Sequence, residues 1–461
     1  MATGITKLSL NSLPTDLDFE DFISSHLLLG GYTLDRSIHE KLDGAGEIFE
    51  VDIITHQYNG KDSKRLIEIK SKDWELNDIF KVGGRLRYLG VDSGVFIVQQ
   101  KKEEKKFPSW QTSMSKMDVS LVYAGKQDPA DTKLDLTELY KEFGIVAGSE
   151  DDGMIEAVRF SYIAERCMRA RVSQLKKSKQ TDGLKVLWDF SNAIQDISFY
   201  DDDPVQRLHR TFDLFKEYNH LSARLDYECL HGKFPAVDEV TQFESGRVKG
   251  YLLNEIDYLP VNYSLYLEHR LRMYIIQSCV EYLVIPKVYQ SKIDEFLKKL
   301  SVNSLASNIS NGIDYMGAKC PHFRSYPRLW QVFTYMMGGF ILTDHYDEEI
   351  VLLSKVTGVP KDEVETAFSV YDILFPLVGG ASWMREIGGT HIRRLNFMPA
   401  PIMGIGANFR RDFYRKDKAE KDPPYEDLKG ILSSDYTYRN LLLWNQAAFD
   451  TLKKSEDLKK S

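Results

Sequence analysis

Hydrophobic and polar positions change period several times within the first third of the chain. Leu17 to Leu29 places apolar residues at helical spacing, which predicts an amphipathic helix with Asp16 or Asp18 as its N-cap. Gly30-Gly31 ends it, and Tyr32-Thr33-Leu34 reads as a short strand. The period then drops to two. Glu50-Val51-Asp52-Ile53-Ile54 and Leu66-Ile67-Glu68-Ile69-Lys70 predict two strands joined by a turn at Asn59-Gly60-Lys61. Asn77 to Gly90 predicts a helix weakened by Gly83-Gly84, and Gly94–Val98 and Val119–Tyr123 predict two more strands. The charged stretch from Lys101 to Lys116 is expected to be a loop. The resulting order is helix, three strands, helix, two strands.

Alternation on the hairpin separates core from chemistry. Glu68 and Lys70 share one face of their strand, and Ile67 and Ile69 share the other. Asp52 is expected roughly opposite Lys70 and diagonal to Glu68, about 7–8 Å away. Two carboxylates at that spacing can share one divalent ion. Glu50 points to the same side as Asp52 and is a further candidate acid. The plainer alternative is a solvated face of an antiparallel sheet.

The ordered set of Glu20, Asp52 and Glu68-Ile69-Lys70, followed by the Gly83-Gly84 helix, resembles the PD-(D/E)xK, or restriction-endonuclease-like, nucleases. Phe19-Glu20 with Gly31-Tyr32 is similar to the start of methylation-dependent (type IV) restriction enzymes, and the strands are similar to nuclease domains of prokaryotic antiviral effectors. The resemblance spans roughly residues 15–125. It departs at Val51, which stands where the name-giving proline would precede Asp52.

The resemblance implies an α/β nuclease fold and magnesium-dependent hydrolysis of DNA, with manganese as a substitute. Asp52, Glu68 and the Ile69 carbonyl would hold the metal, and Lys70 would polarise the attacking water. Glu20 would bind a metal-held water or a second ion. Lys72 continues the Glu68 and Lys70 face, and Lys81 and Arg85 lie at i,i+4 spacing on the next helix, so all three are candidate phosphate contacts. A homodimer or a partner defence protein is the implied assembly. Two rivals remain: a catalytically silent nuclease fold that binds nucleic acid or protein, and an RNA-cutting effector.

Beyond the acidic segment from Val146 to Gly153 the pattern becomes helical. This divides the chain into a nuclease-like domain, residues 1–148, and an all-α domain, residues 154–461, with a split near residues 303–312. Helices are expected at Met154–Leu175, Leu184–Ile197, Pro204–Tyr218, Tyr266–Leu283 and Ile293–Leu300, then at Leu329–Leu342, Asp347–Val356, Lys361–Leu374 and Tyr438–Leu452. Arg166, Arg169, Arg171, Lys176, Lys177 and Lys179 form one basic stripe. Arg393, Arg394, Arg410, Arg411, Arg415 and Lys416, with interleaved aromatics, form a second cluster. The Arg385 and His391 spacing is similar to HEPN ribonucleases, but Gly388-Gly389 argues against one continuous helix.

A net charge of −8 over 461 residues rules out a basic coat for nucleic acid, so any DNA contact must be local. The four cysteines are scattered without zinc-like spacing, which suits a reduced cytoplasmic chain. No secretion signal or membrane span is expected. The chain has no Walker-type glycine loop and no G-x-S-x-G elbow.

Overall fold

The computed structural model describes residues 12–42, 46–58, 63–101, 105–146, 152–177, 182–196, 203–231, 258–300, 303–337, 340–342, 346–376, 383–387 and 390–394. It contains two compact units. The first comprises Met1–Ser37, Val51–His56 and Ser63–Phe160, and the second Ile38–Glu50, Gln57–Asp62 and Ser161–Ser461.

The amino-terminal region is a five-stranded mixed sheet with helices. Helix α1 (Leu17–Leu29) is followed by β1 (Thr33–Leu42), β2 (Gly46–Gln57), β3 (Ser63–Lys70), α2 (Leu76–Leu89), β4 (Ser93–Val98), α3 (Phe107–Ser115), β5 (Val119–Tyr123) and α4 (Thr137–Phe143). The strands lie in sequence order, β1-β2-β3-β4-β5. Only five residues separate β2 from β3, too few for a parallel crossover, so these two form a hairpin. Its turn, Asn59-Gly60-Lys61, lies outside the described residues. From β3 onward the pairing is parallel: Glu68 faces Phe96, Ile69 faces Ile97 and Lys70 faces Val98. β5 extends this pattern, with Phe96 facing Leu121.

Helix α2 supplies the crossover between β3 and β4. Asp78 accepts a hydrogen bond from the Glu75 amide at 2.9 Å, closing the first turn. Ile79, Val82 and Leu86 form its buried stripe. Gly90 ends it with φ 63°, a left-handed conformation that suits glycine. Beneath this stripe, an added Cβ on Gly94 would lie 3.0 Å from Val82 Cγ1. The glycine therefore lets α2 settle closely onto β4.

Several expectations are corrected. The short strand expected at Tyr32-Thr33-Leu34 begins at Thr33 and continues as the ten-residue strand β1. Lys101 to Lys116 is not all loop, because it contains α3. Pro108 suits the first turn, Phe107 and Met114 are buried, and the Trp110 ring meets Trp74 at 5.6 Å. Apolar anchoring thus outweighs the local charge. Asp16 occupies the N-cap of α1, one of the two positions expected, but its side chain makes no capping hydrogen bond. Asp16 instead accepts from Lys72 at 2.7 Å, and Asp18 pairs with Arg159 at 2.6 Å.

The carboxy-terminal region is mainly helical, with α5 (Asp152–Lys177), α6 (Asp182–Ile194), α7 (Pro204–His231), α8 (Tyr258–Val284), α9 (Lys287–Lys299) and α10 (Ser304–Lys319). After a 3-10 turn at Phe323–Ser325 come α11 (Tyr326–Tyr335), α12 (Tyr346–Thr357) and α13 (Lys361–Leu374). The region is not all-α. β6 (Phe340–Leu342), β7 (Trp383–Ile387) and β8 (Thr390–Arg394) form an antiparallel sheet in the order β6-β8-β7. The helix expected over Leu329–Leu342 therefore stops at Tyr335, and its last three residues join a strand; Gly338-Gly339 disfavours continuing the helix. The Asn- and Ser-rich segment from 303 is the start of α10, where the Asn303 side chain accepts from the Leu305 amide at 2.9 Å. Helix Tyr438–Leu452 lies outside the described residues. Among the described residues no helix is long and apolar enough to cross a membrane.

Helix α8 carries a polar network through the helical core. Glu165 accepts from the Tyr335 and Tyr266 hydroxyls at 2.9 and 2.5 Å, and Arg207 pairs with Glu281 at 2.8 Å. His269 is buried there. Burial, with Arg270 and Arg272 alongside, pulls its pKa from 6.5 down to about 3. The unfolded chain therefore binds a proton that the folded chain refuses. Stability from this group is fully present above about pH 6.5 and is lost as pH falls toward 3, at roughly 1 kcal/mol per pH unit. Urea unfolding between pH 7 and 4.5 should show a shallower acid dependence for His269→Gln than for the parent. Equal slopes would contradict this placement.

Candidate active site

The first unit brings the acids of the hairpin together. Asp52 lies on β2, and its Oδ2 accepts a hydrogen bond from the Ile69 amide on β3 at 2.7 Å. Lys70 Nζ meets Glu68 Oε1 at 2.8 Å. The second Glu68 oxygen, Oε2, accepts a hydrogen bond from Arg85 on α2. Glu68 is only 7% exposed, so its carboxylate depends on these two cations for charge compensation. Glu20, on α1, completes the electrostatic cluster.

The protonation pattern follows from this crowding. Burial raises the Asp52 carboxyl well above the usual carboxylate range, and the Glu68 and Glu20 charges push it the same way. Lys70 and the Ile69 amide pull it back without cancelling the rise. Burial works against the Lys70 ammonium, but Glu68, Asp52 and Glu20 outweigh it and hold its pKa above the ordinary lysine value. Lys70 is therefore a persistent cation beside three acidic groups.

The fold places this cluster at the carboxyl end of β3. The Gln99 amide donates to the Lys70 carbonyl at 2.9 Å, and the Ala124 amide donates to the Val98 carbonyl at 2.9 Å. The parallel strands thus finish in step. Sites in open α/β sheets commonly form at such strand ends. Beside it, Trp74 is buried against Phe96, Phe107 and Trp110, and its Nε1 donates to the Gln100 carbonyl at 2.8 Å.

No family model, curated protein or solved structure matches the chain.

The donor chemistry suits a hard divalent ion. Magnesium accepts oxygen ligands, binds through one or two protein carboxylates and keeps several waters. Asp52 and Glu68 supply two carboxylates of that kind. Among the described residues no group of three or more His, Cys, Asp or Glu side chains is arranged to hold a metal. Asp52 and Glu68 are the two carboxylates here that could hold such an ion, with water filling its other positions.

The remaining sequence candidates divide clearly. Glu20 acts electrostatically on Asp52 and Lys70, whereas Glu50 is exposed. Lys72 and Lys81 are exposed and pair with Asp16 and Asp78, both at 2.7 Å. Such surface pairs are weak, so both lysines can exchange partners readily. Arg85 does not lie on an open helix face, because it is turned onto Glu68. Its contact with Glu68 was missed from sequence. The available signal was its place beside the buried stripe of α2, one residue before Leu86.

The other basic features are described only in part. Arg169 donates to Gln195 Oε1 at 2.8 Å, so the α5 stripe is partly structural. Arg385 and His391 lie on strands β7 and β8, not on one helix. Arg393 and Arg394 lie on β8, and the rest of their cluster falls outside the described residues.

The electrostatics predict a trade between stability and site composition. Ionised Asp52 is disfavoured by burial and by two neighbouring carboxylates. Asn keeps an oxygen acceptor for the Ile69 amide without that charge. In chelator at pH 8, Asp52→Asn should therefore melt at a higher temperature than the parent. A lower melting temperature would show that the Asp52 charge stabilises the fold.

Proposed function

We propose that this chain is a magnesium-dependent endodeoxyribonuclease with a restriction-endonuclease-like catalytic unit. The observation that carries the reading is the meeting of Asp52, Glu68 and Lys70, with Glu20 in electrostatic reach, where β2 and β3 pair. The strand-strand-helix-strand order around them supports it. A setting in prokaryotic restriction or antiphage defence, with a homodimer or a partner defence protein, follows from the sequence resemblance, and a cytoplasmic location from the scattered cysteines.

Asp52, Glu68 and the Ile69 carbonyl would hold the ion. Bound magnesium supplies Lewis acidity toward the phosphate and a more acidic water. The protein's own groups do the rest. Lys70, a persistent cation, orients the attacking water and offsets negative charge that develops on the phosphate. Glu20 accepts a hydrogen bond from a water at the same site. Lys72 and Lys81 release their surface carboxylates to meet backbone phosphates. The helical region serves recognition, regulation or assembly.

A second reading has its own support. Glu68 is neutralised on both oxygens by Lys70 and Arg85, as suits a nuclease fold that binds nucleic acid or protein without cutting.

Plasmid incubated with magnesium should be nicked by the parent protein. Glu68→Ala and Lys70→Ala should each lower the rate by at least about 100-fold while retaining the folded circular dichroism spectrum, a loss of about 2.7 kcal/mol of transition-state stabilisation. Cleavage at the parental rate by either variant would overturn the assignments. Tight DNA binding with no cleavage in magnesium or manganese would favour the silent module. Preference for RNA over duplex and single-stranded DNA would identify an RNA-cutting enzyme.

A further inference from the structure

We propose that Arg85 is a latch on the metal site, exchanging Glu68 for a substrate phosphate when a divalent ion is bound. The inference rests on the nuclease reading of the same site. Both Glu68 oxygens are engaged: Lys70 takes Oε1 at 2.8 Å and Arg85 takes Oε2. The Arg85 side chain is 17% exposed and the Glu68 side chain 9%, so this pair is shielded from bulk water. A divalent ion placed at Oε2 would repel a guanidinium on the same oxygen at contact distance, which favours Arg85 leaving.

Arg85 is the partner built to leave. Lys70 belongs to the same strand as Glu68, only two residues away, so it stays on the same face. Arg85 reaches across from α2, whose backbone is anchored by Val82 and Leu86 over Gly94. A long side chain on a fixed helix can change rotamer without disturbing the sheet. Its planar, permanently charged guanidinium forms two parallel hydrogen bonds to phosphate as readily as to carboxylate. Lys81, one turn earlier on α2 and 64% exposed, extends the cationic path toward solvent. In the unloaded protein, Arg85 compensates the Glu68 charge and lowers affinity for the ion. In the loaded protein, the released guanidinium holds the substrate phosphate. Metal and DNA binding are thereby coupled through one side chain.

This exchange predicts opposite signs for two affinities. Manganese binding without DNA, followed by isothermal titration and by the electron paramagnetic resonance of free ion, should be about tenfold tighter in Arg85→Gln than in the parent, equivalent to about 1.4 kcal/mol. Duplex DNA binding in calcium, followed by fluorescence anisotropy, should be weaker by a similar factor. Arg85→Met, which keeps the aliphatic stem, should shift both affinities the same way if Arg85→Gln folds poorly. Arg85→Lys should restore part of the DNA affinity. If the parent binds manganese and both neutral variants bind it equally or more weakly, the latch is wrong while the metal site stands. If the parent binds no manganese, the nuclease reading itself fails and the latch falls with it.

Discussion

A buried carboxylate must have a counter-charge, and the amino-terminal unit is organised around meeting that requirement at Glu68. Two cations from different elements do so. Lys70 comes from the same strand, and Arg85 comes from the crossover helix. The Glu68 contact therefore ties β3 to α2 in a way that apolar packing alone does not. Helix α2 must sit close to the sheet for Arg85 to reach, and Gly94 provides that clearance beneath Val82 and Leu86. With either cation removed, the other remains to compensate the buried charge in part.

The same crowding explains why Asp52 behaves differently from Glu68. Asp52 has the Ile69 amide but two acidic neighbours, and burial adds to the penalty on its ionised form. A fold selected only for stability would avoid such an arrangement. Groups held at a local energetic cost are characteristic of functional sites. Neighbouring structure carries that cost. The parallel β3-β4-β5 ladder, the buried Trp74 cluster and the Asp18 to Arg159 pair between α1 and α5 stabilise the surrounding unit.

The elements with long, clean periodicity were legible in the sequence. α1 and α2 match their apolar spacing, α13 runs over Lys361–Leu374 as expected, and β3 to β5 match their hydrophobic runs. The site was legible to the extent that alternation places Glu68 and Lys70 on one face. Tertiary contacts settled what periodicity left open. α3 is hidden by charge until Phe107, Trp110 and Met114 find apolar partners. β6 has three residues, too few to show a period, and exists through pairing with β8. Asp16 reads as a cap, but Lys72 and Ser71 compete for its carboxylate. Arg85 reads as a candidate phosphate contact, and its place beside the buried stripe of α2 does not by itself identify Glu68, seventeen residues earlier, as its partner.

The proposed function turns on whether Asp52 and Glu68 form one cation site from which Arg85 withdraws. Crystals soaked with manganese test it most directly through anomalous scattering. A peak is expected about 2.0–2.3 Å from a carboxylate oxygen of each residue, with the Arg85 guanidinium turned away from Glu68. A saturating soak that leaves no peak there, with Glu68 still held by both Lys70 and Arg85, would contradict it.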